Sequence, residues 1–580
     1  MQRRTTLMDL SAEQQAIINA PLAPLAVIAC AGSGKTATAV RRLVEMRRLL
    51  ADSRARVALL SFSNVAVDTF RQSYQTLAQT LPNGAGRSRV DFETLDGFIT
   101  SHILRPHAYR TMGSQRAAFL VTGTEPFLSG FTCRRDPFPL PITDMKVGFE
   151  NNELFFYYDF QGNIKRLDQN AASLAVRRLG RTGAYTHDLG RYWAYHTLID
   201  QPLILRALVR RYPHVLVDES QDIGLLHQAI LELLMRAGVQ VSLIGDPNQS
   251  IYEFAGANGM FLRDYHRREE VTAFSLTRNY RSRPSIQAIA NHISGRNDEP
   301  HRPIDPGTHG VYFIGYSNPE LPGLLDAFHA EVANLGMRIE NAAILCRSSK
   351  LADQLAGVNE PSGRGIVKHF VEAALHRDMH GRFQDAYKAV VRGIVSLLDG
   401  PPQGLLASLS HPAHDRSLQD LRRRLWAFSR EVETGLPSSE LPAMDSWHPL
   451  MLARVRTLLQ EIHQDFGMVP TDNLGHKLAR TGLPAGPLGA GADLAAERGP
   501  RIRVGTVHHV KGESIDAVLY VATRPHLQAM LDGVETELGR IGYVAVTRAC
   551  NLLWLAVPSA ALREMRPALL AAGFQEAGDR

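Results

Sequence analysis

The sequence has few cysteines and lacks a long apolar run. Its 580 residues include 4 cysteines, Cys30, Cys133, Cys346 and Cys550, and no two of them form a Cys-x-x-Cys pair. This spacing argues against a zinc or iron–sulfur site and favours a reducing compartment. No apolar stretch approaches the roughly 20 residues that span a bilayer. The first residues are polar and basic rather than typical of a signal peptide. We therefore expect a cytoplasmic protein with no membrane partner.

Low-complexity segments and short internal repeats are also missing, so nothing in the sequence predicts a fibrous or repeat architecture. Hydrophobic residues make up 44% of the chain and charged residues 21%, which is ordinary for a globular protein. The length allows several domains with sizeable cores. The net charge of +6 fits a polyanionic partner, although many proteins of this charge bind no nucleic acid.

Apolar runs of strand length occur in two sets, which predicts two α/β cores. The first set is Leu25–Ala29, Val57–Leu60, Val90–Phe92, Val215–Val217 and Val241–Ile244. The second set is Val311–Ile314, Ala342–Leu345, Ile502–Val507, Ala517–Val521 and Leu552–Val557. Four strands of the first set end in a polar or glycine-containing motif, as expected where an open parallel sheet carries a ligand site at the carboxyl ends of its strands.

Each predicted core is interrupted by an insertion. We expect residues 1–98 and 205–280 to form the first core around an insertion at 99–204, and residues 281–366 and 500–580 to form the second core around an insertion at 367–499. Within the first insertion, Asn152–Asp159 and Ile164–Leu167 flank Gln161-Gly162-Asn163, which predicts a β-hairpin. The second insertion has mostly helical spacing, with loop-like stretches at Pro437–Pro449 and Gly482–Gly499.

A glycine-rich turn joins the first strand to a helix-like stretch, Thr36–Leu50. The turn has the sequence Ala29-Cys30-Ala31-Gly32-Ser33-Gly34-Lys35-Thr36. A strand, such a turn and a helix N-terminus form a cradle for a polyphosphate. Lys35 is placed to reach the β- and γ-phosphates, and the Thr36 hydroxyl to hold Mg²⁺. The motif predicts that the chain uses a nucleoside triphosphate.

Two adjacent carboxylates, Asp218 and Glu219, follow the strand Val215–Val217. Asp218 suits a Mg²⁺ shell, and Glu219 is suited to orient and deprotonate an attacking water. The alternative is an acidic helix N-terminus, which favours Asp and Glu for electrostatic reasons alone. The phosphate loop earlier in the chain favours the catalytic interpretation.

A further strand is followed by a long motif, and a tetrapeptide stands downstream of it. The two segments are Leu243-Ile244-Gly245-Asp246-Pro247-Asn248-Gln249-Ser250-Ile251-Tyr252-Glu253-Phe254-Ala255-Gly256-Ala257 and Asn279-Tyr280-Arg281-Ser282. With these motifs, in this order, the chain resembles superfamily 1A DNA helicases of the UvrD/Rep/PcrA type. The resemblance covers most of both cores and little of either insertion. It implies two RecA-like cores in tandem, each with an inserted subdomain, and ATP hydrolysed in the cleft between them.

The resemblance also implies roles for individual residues. At the nucleotide, Gln14 would face adenine, Ala31, Gly32, Ser33 and Gly34 would cradle the phosphates, Tyr280 would stack on the base and Glu513 would contact the nucleotide. Gln249 would sense the γ-phosphate, while Arg281 and Arg548 would stabilise it as arginine fingers. Single-stranded DNA would contact Phe62, Asn64, Thr94, Tyr252, Phe254, Thr506 and His508. Aromatic stacking suits DNA binding without sequence preference, because every base has a π-face.

Simpler interpretations stay open for single members of this set. Phe62 and Tyr252 fit core aromatics, His508 fits a structural hydrogen-bonding group and Arg548 fits a surface ion pair. One departure from the family pattern concerns Asp96, which replaces the usual histidine and places a negative charge near a phosphate path.

Two functions from different classes follow. The first is an ATP- and Mg²⁺-dependent translocase that moves 3′ to 5′ on single-stranded DNA and unwinds duplex with a single-stranded tail. The second is a DNA-end- or ATP-sensing component with a nuclease partner in an anti-phage complex, as in Gabija-type systems, with weak or no unwinding alone. A GTPase or kinase fits poorly, since no base-specific NKxD motif is evident and the paired arginines suit a helicase.

Overall fold

The computed structural model describes the chain with several gaps. The described residues are 10–50, 53–79, 89–121, 123, 125–134, 139–151, 153–160, 163–253, 256–257, 259–304, 310–317, 320–356, 363–379, 381–410, 418–488 and 502–577. Among them, no helix combines the length and apolar character needed to cross a membrane.

Six parallel strands form the first large sheet. In spatial order they are Thr272–Leu276, Leu25–Ala29, Gln240–Gly245, His214–Val217, Val57–Ser61 and Val90–Thr94. All five strands predicted from the sequence are present. The edge strand Thr272–Leu276 was not predicted, because most of its residues face solvent and it lacks the continuous apolar run of a buried strand.

A second six-stranded parallel sheet lies in the C-terminal part of the chain. Its spatial order is Arg503–Thr506, Ala342–Cys346, Ile515–Val521, Ala549–Pro558, Val311–Tyr316 and Gln575–Glu576. Buried aliphatic clusters cover both of its faces. The two-residue strand Gln575–Glu576 is too short and polar to be predicted. The fold class, two RecA-like parallel-sheet cores in tandem, is confirmed.

Helices flank both sheets. Around the first sheet they are Ala12–Asn19, Lys35–Leu50, Asn64–Ala78, Leu95–Ile99, Pro202–Arg211, Leu225–Arg236 and Met260–His266. Around the second they are Pro284–Ser294, Leu321–Asn334, Ser349–Leu355, Arg524–Leu531, Glu537–Arg548 and Ser559–Ala572. The first helix starts with a capping box, in which Ser11 and Gln14 satisfy each other's backbone N–H groups.

The chain divides into two compact units. Unit 1 comprises Met1–Pro106, Ala194–Leu355 and Gly499–Arg580, and it contains both large sheets. Unit 2 comprises His107–Trp193 and Ala356–Arg498. The finer domain boundaries stay a prediction.

The N-terminal part of unit 2 contains the predicted hairpin. Glu153–Phe160 pairs antiparallel with Asn163–Arg166 on one side and with Lys146–Glu150 on the other, so that the hairpin belongs to a three-stranded sheet. The other elements of the first insertion, residues 99–204, are the π-helix Thr100–Leu104, the helices Arg105–Thr111, Gln169–Arg181 and His187–Asp200, and two short strand pairs, Phe119–Leu120 with Ala184–Tyr185 and Thr132–Cys133 with Leu140–Pro141.

The second insertion is mostly helical, as its spacing predicts. Its helices are Val367–Asp378, Phe383–Val395, Leu405–Ser410, Gln419–Arg430, the π-helix Ala443–Trp447, His448–Phe466 and Leu474–Lys477. The predicted loop Pro437–Pro449 is wrong in its second half, because Trp447 is fully buried and Pro449 occupies the first turn of a helix, where proline needs no N–H partner. Residues 482–488 of the second predicted loop form turns, and residues 489–499 lie outside the described part.

Candidate functional site

The glycine-rich turn lies between the strand Leu25–Ala29 and the helix Lys35–Leu50, as predicted. Gly32 and Gly34 have φ angles of +73° and +78°, which other residues rarely adopt. A Cβ on Gly32 would lie 2.7 Å from Asn279 Oδ1. The Ser33 hydroxyl donates to the carbonyl of Cys30 at 2.8 Å, inside the turn. Because Gly32 and Gly34 carry no side chain, the backbone of the loop can approach a phosphate closely.

The two predicted catalytic carboxylates lie beside the loop lysine. Lys35 Nζ is 3.6 Å from Glu219 Oε2. Burial works to raise the pKa of Glu219, but the charges of Lys35 and Lys511 outweigh it and lower the pKa. Glu219 has left-handed backbone angles, φ 51° and ψ 38°. Such strain in a non-glycine residue clusters at functional sites.

Asp218 is buried and differs electrostatically from its neighbour. Burial and the charge of Glu219 raise the pKa of Asp218 above the usual range. Its Oδ1 has no hydrogen-bond partner among the described residues. An orphaned buried carboxylate oxygen is costly unless a ligand completes it. A carboxylate oxygen of this kind and a hydroxyl such as that of Thr36, in the first turn after the phosphate loop, are oxygen donors of the type that Mg²⁺ prefers.

The two predicted arginine fingers converge on one carbonyl oxygen. Arg281 Nη1 lies 3.4 Å and Arg548 Nη1 3.1 Å from the carbonyl oxygen of Glu513. Arg281 also donates to the carbonyl of Thr547 and to the hydroxyl of Ser514. The guanidinium groups thus occupy one region although their residues are far apart in sequence.

This convergence is electrostatically unfavourable without an anion. Burial lowers the pKa of Arg281. Burial and the charge of Arg281 lower the pKa of Arg548 to about 9. Burial likewise opposes the charge of Lys35, whose pKa is nevertheless raised by Glu219, Asp246 and Asp218. A polyanion would relieve the repulsion between the arginines, so the cluster suits a triphosphate.

A chain of hydrogen bonds connects Glu219 to one of the two arginines, Arg548. Gln221 Nε2 donates to Glu219 Oε2 at 2.5 Å, and its Oε1 accepts from the backbone N–H of Asp246 at 3.1 Å. Asp246 Oδ2 accepts from Gln249 Nε2 at 2.9 Å, and Gln249 Oε1 accepts from Arg548 Nη2 at 2.9 Å. Asp246 thereby fixes the Gln249 amide with its oxygen toward the arginine.

The other predicted nucleotide residues lie around the same loop. Gln14 Nε2 donates to the carbonyl of Ser33 at 3.0 Å. The backbone N–H of Tyr280 donates to the carbonyl of Gly32 at 2.9 Å, and its ring packs against His301 with centroids 4.7 Å apart. The carboxylate of Glu513 pairs with Arg503. Its backbone carbonyl, rather than its carboxylate, therefore accepts from Arg281 and Arg548.

Part of the predicted DNA-contacting set follows the strands Val57–Ser61 and Val90–Thr94. Phe62 packs edge-on against His227, with ring centroids 5.9 Å apart. His227 Nε2 lies 2.8 Å from Asp96 Oδ1, so the negative charge that the sequence places here is paired with a histidine. Asn64 begins an exposed helix turn, and Thr94 caps the helix Leu95–Ile99 by accepting from Gly97.

Two of the remaining DNA-contacting candidates, Tyr252 of the first core and His508 of the second, contact each other. The Tyr252 ring is 5.7 Å from the His508 ring and 4.8 Å from Lys511 Nζ. His508 Nε2 lies 3.1 Å from the carbonyl of Ile251, and burial lowers the pKa of His508. Thr506 is buried at the end of its strand. Phe254 lies outside the described residues.

A buried ion pair that was not predicted joins the two cores. Lys511 Nζ lies 2.6 Å from Asp222 Oδ1 and 2.5 Å from Asp222 Oδ2. Both side chains are almost fully buried, with exposed fractions of 8% and 3%. Asp222 follows the predicted carboxylates Asp218 and Glu219, and Lys511 follows the predicted DNA contact His508. Nothing in the local sequence indicates that residues so far apart in the chain form a pair. Gln221 and Asp246 were missed for the same reason.

Comparison with known proteins adds sequence similarity to this geometry. Residues 10–136 and 149–268 match the model of the UvrD/REP helicase N-terminal domain. The chain is 22% identical over 657 residues to "ATP-dependent DNA helicase UvrD1" of Mycobacterium leprae. This alignment covers 94% of this chain and 82% of that protein. It is 25% identical over 328 residues to "DNA helicase II" of Haemophilus influenzae, covering 50% of this chain and 41% of that protein.

A shorter match concerns a different kind of protein. The chain is 37% identical over 103 residues to an ATP-dependent helicase/nuclease component of Carboxydothermus hydrogenoformans. This match covers 18% of the chain and 9% of that protein.

Proposed function

Because the chain is a UvrD/Rep-type superfamily 1 helicase, we propose that it is a DNA-dependent ATPase that moves 3′ to 5′ along single-stranded DNA and opens tailed duplex. The observation that carries this proposal is that Arg281 and Arg548, from the second core, lie together at the carbonyl of Glu513 and interact electrostatically with Glu219 of the first core, which pairs with Lys35. Such a cluster of cations and carboxylates suits hydrolysis of a γ-phosphate in the cleft between cores.

The roles of the phosphate-facing residues follow from charge and position. Lys35 binds the β- and γ-phosphates, and the two arginines stabilise the negative charge that develops on the transferred group. Correctly placed arginines are worth roughly 10³–10⁵ in rate in enzymes of this class. Gln249 orients the γ-phosphate and the attacking water, since Asp246 already fixes its amide.

Glu219 takes the proton from that water. Without nucleotide, its charge is balanced by Lys35. ATP draws the lysine toward its phosphates, which leaves Glu219 more basic when a water must be activated. Asp218 and Thr36 would hold Mg²⁺, which when bound shields the charge on the β- and γ-phosphates.

Single-stranded DNA lies on the aromatic and polar residues that follow the strands of both cores. Phe62 and Tyr252 stack on bases, while Asn64, Thr94, Thr506 and His508 contact the backbone. Closure of the cores on ATP and their release after hydrolysis would move the two DNA grips relative to each other by one step per cycle.

The first test is ATP hydrolysis with and without single-stranded DNA, with Glu219→Gln as the matched control. We expect strong stimulation by DNA in the natural protein and none in the variant. Strand displacement on duplexes with either a 3′ or a 5′ tail tests polarity, and only the 3′-tailed duplex should be opened. Equal displacement of both duplexes would contradict the proposed direction.

A second candidate is a helicase component that acts with a nuclease partner in an anti-phage complex. The short similarity to a helicase/nuclease component favours it. Under this alternative, the folded protein alone would show no stimulation by single-stranded DNA. Stimulation of ATP hydrolysis by single-stranded DNA would then occur only after the nuclease partner is added.

A further inference from the structure

A short segment of the first core, residues 246–253, is contacted by side chains of the second core along most of its length. We call residues 246–253 the sensor segment, because it includes the proposed γ-phosphate sensor Gln249 and the proposed DNA contact Tyr252. Several side chains of the second core contact it, namely Tyr543, Arg548, Arg540, His508 and Lys511.

Arg540 makes the most complete of these contacts. Its Nε donates to the carbonyl of Ser250 at 2.6 Å, and its Nη2 donates to Glu253 Oε2 at 2.6 Å. Its Nη1 donates to the carbonyls of Val534 and Glu535, within its own core, at 3.1 and 2.9 Å. Arg540 is buried. A planar guanidinium with acceptors on two edges fixes both sets of acceptors relative to each other.

The helix Glu537–Arg548 contacts the sensor segment at both of its ends. In its first turn, Glu537 Oε1 accepts from the backbone N–H of Glu253 at 3.1 Å. At its last residue, Arg548 donates to Gln249. Glu537, Arg540 and Arg548 are spaced so that they share one face of a helix. Arg540 and Arg548, eight residues apart, are separated by about 12 Å along the helix axis.

We propose that Arg540 is a positioning residue that couples DNA binding at Tyr252 to the arginine finger Arg548, by linking the sensor segment of the first core to the Glu537–Arg548 helix of the second core. This inference rests on the proposed function, since it assumes that DNA stimulates hydrolysis. The acceptors of Arg540 are the sensor segment and its own core rather than the phosphate cluster. DNA that shifts Tyr252 shifts Ser250 and Glu253 with it, and through Arg540 the helix that carries the finger.

A merely structural role for this buried arginine would predict a different result. Loss of a structural contact lowers stability and reduces every activity together. Loss of the coupling contact leaves hydrolysis without DNA intact and reduces only the stimulation. The ratio of stimulated to basal hydrolysis therefore separates the two roles.

The test compares Arg540→Lys and Glu253→Gln with the natural protein. Lysine keeps the charge but lacks the fork that reaches Ser250 and Glu253 together, and Glu253→Gln removes the carboxylate from a half-exposed side chain. The matched control is Arg524→Ala, which breaks the exposed ion pair between Arg524 and Glu564 in the same core. Each variant is assayed for basal hydrolysis, for hydrolysis at saturating single-stranded DNA, for the half-saturating DNA concentration and for Tm.

We expect the stimulation ratio to fall about tenfold in Arg540→Lys and less in Glu253→Gln, with basal hydrolysis within about twofold of the natural protein. The control should keep its ratio. An unchanged ratio in a folded Arg540→Lys variant overturns the coupling role, as does an equal fall of basal and stimulated rates. If Arg540→Lys does not fold, an unchanged ratio in Glu253→Gln overturns it. Absence of stimulation in the natural protein instead contradicts the proposed function itself.

Discussion

Single side chains at the site carry charge that the protein interior does not readily accept. Lys35, Arg281 and Arg548 are all held where burial opposes their charge. The carboxylates Asp218 and Glu219 only partly offset them, and the pKa values of the two shift in opposite directions. Adjacent acidic groups with divergent pKa values are typical of sites that divide metal binding and proton transfer between them.

Cys30, within the phosphate loop, is predicted to be unreactive. Burial and the charge of Asp298 raise the pKa of its thiol to about 12. Because pH 8 is well below that pKa, the thiol stays protonated. The reactive form is the thiolate, so Cys30 should react slowly. Titration of the native protein with a thiol reagent should label Cys30 slowly, whereas unfolding in guanidinium should expose all 4 cysteines. Rapid labelling of Cys30 in the native protein, found by mass spectrometry, would contradict this.

Replacement of Lys511 by alanine should destabilise the protein by roughly 3–5 kcal/mol, because it leaves a buried carboxylate without its ion pair. Burial already raises the pKa of Asp222 to about 6 despite Lys511. Denaturant unfolding measures the effect. The double variant Lys511→Ala with Asp222→Asn should recover part of the loss, since no uncompensated charge remains. Equal destabilisation in the single and double variants would exclude this explanation.

At the scale of elements, the Glu537–Arg548 helix is packed unusually closely at its N-terminus. A Cβ on Gly539 would lie 1.9 Å from the carbonyl oxygen of Gly533 and 2.8 Å from that of Ala529. Backbone atoms cannot move aside as a flexible side chain can. The position of Arg548, the proposed arginine finger, therefore depends on a residue without a side chain, more than two turns earlier in the helix.

Two glycine-to-alanine substitutions test this dependence. Gly539→Ala should lower stability by more than about 1 kcal/mol and reduce ATP hydrolysis, because the helix must shift away from residues 529–533. Gly323→Ala is the matched control, since a Cβ there meets no described atom within 4 Å, in the helix Leu321–Asn334. It should stabilise by about 0.5–1 kcal/mol through helix propensity. Thermal unfolding of both variants measures these changes in stability. An unchanged stability in Gly539→Ala would show that a methyl group fits at the N-terminus of the helix.

For the whole molecule, the proposed nucleotide site takes residues from both cores, so a bound nucleotide should stabilise the two cores together. A ligand at 100 times its Kd adds about 2.7 kcal/mol to the folded state. Thermal unfolding with and without ATP and Mg²⁺ should show this as a rise in Tm. Lys35→Ala should abolish both the rise and hydrolysis, while some binding of single-stranded DNA remains. Retained turnover in that variant would contradict the site assignment.

Much of the architecture could be predicted because buried parallel strands are continuous apolar runs, and because a phosphate loop needs glycines at fixed spacing. The strand Thr272–Leu276 and the π-helix Ala443–Trp447 escaped prediction for the opposite reason. The first is a solvent-exposed edge strand, and the second follows a proline-rich stretch whose helical continuation depends on burial of Trp447.

The sequence by itself predicts which residues would carry the nucleotide chemistry, since Lys35, Asp218 and Glu219 follow buried strands of one sheet at their carboxyl ends. The tertiary structure decided which distant residues meet. Three such contacts depend on how the two cores pack. Arg281 and Arg548 share the carbonyl of Glu513, Lys511 pairs with Asp222, and Arg540 contacts both Ser250 and Glu253. Local periodicity has no information about such contacts between residues far apart in the chain, because they form only when the cores come together.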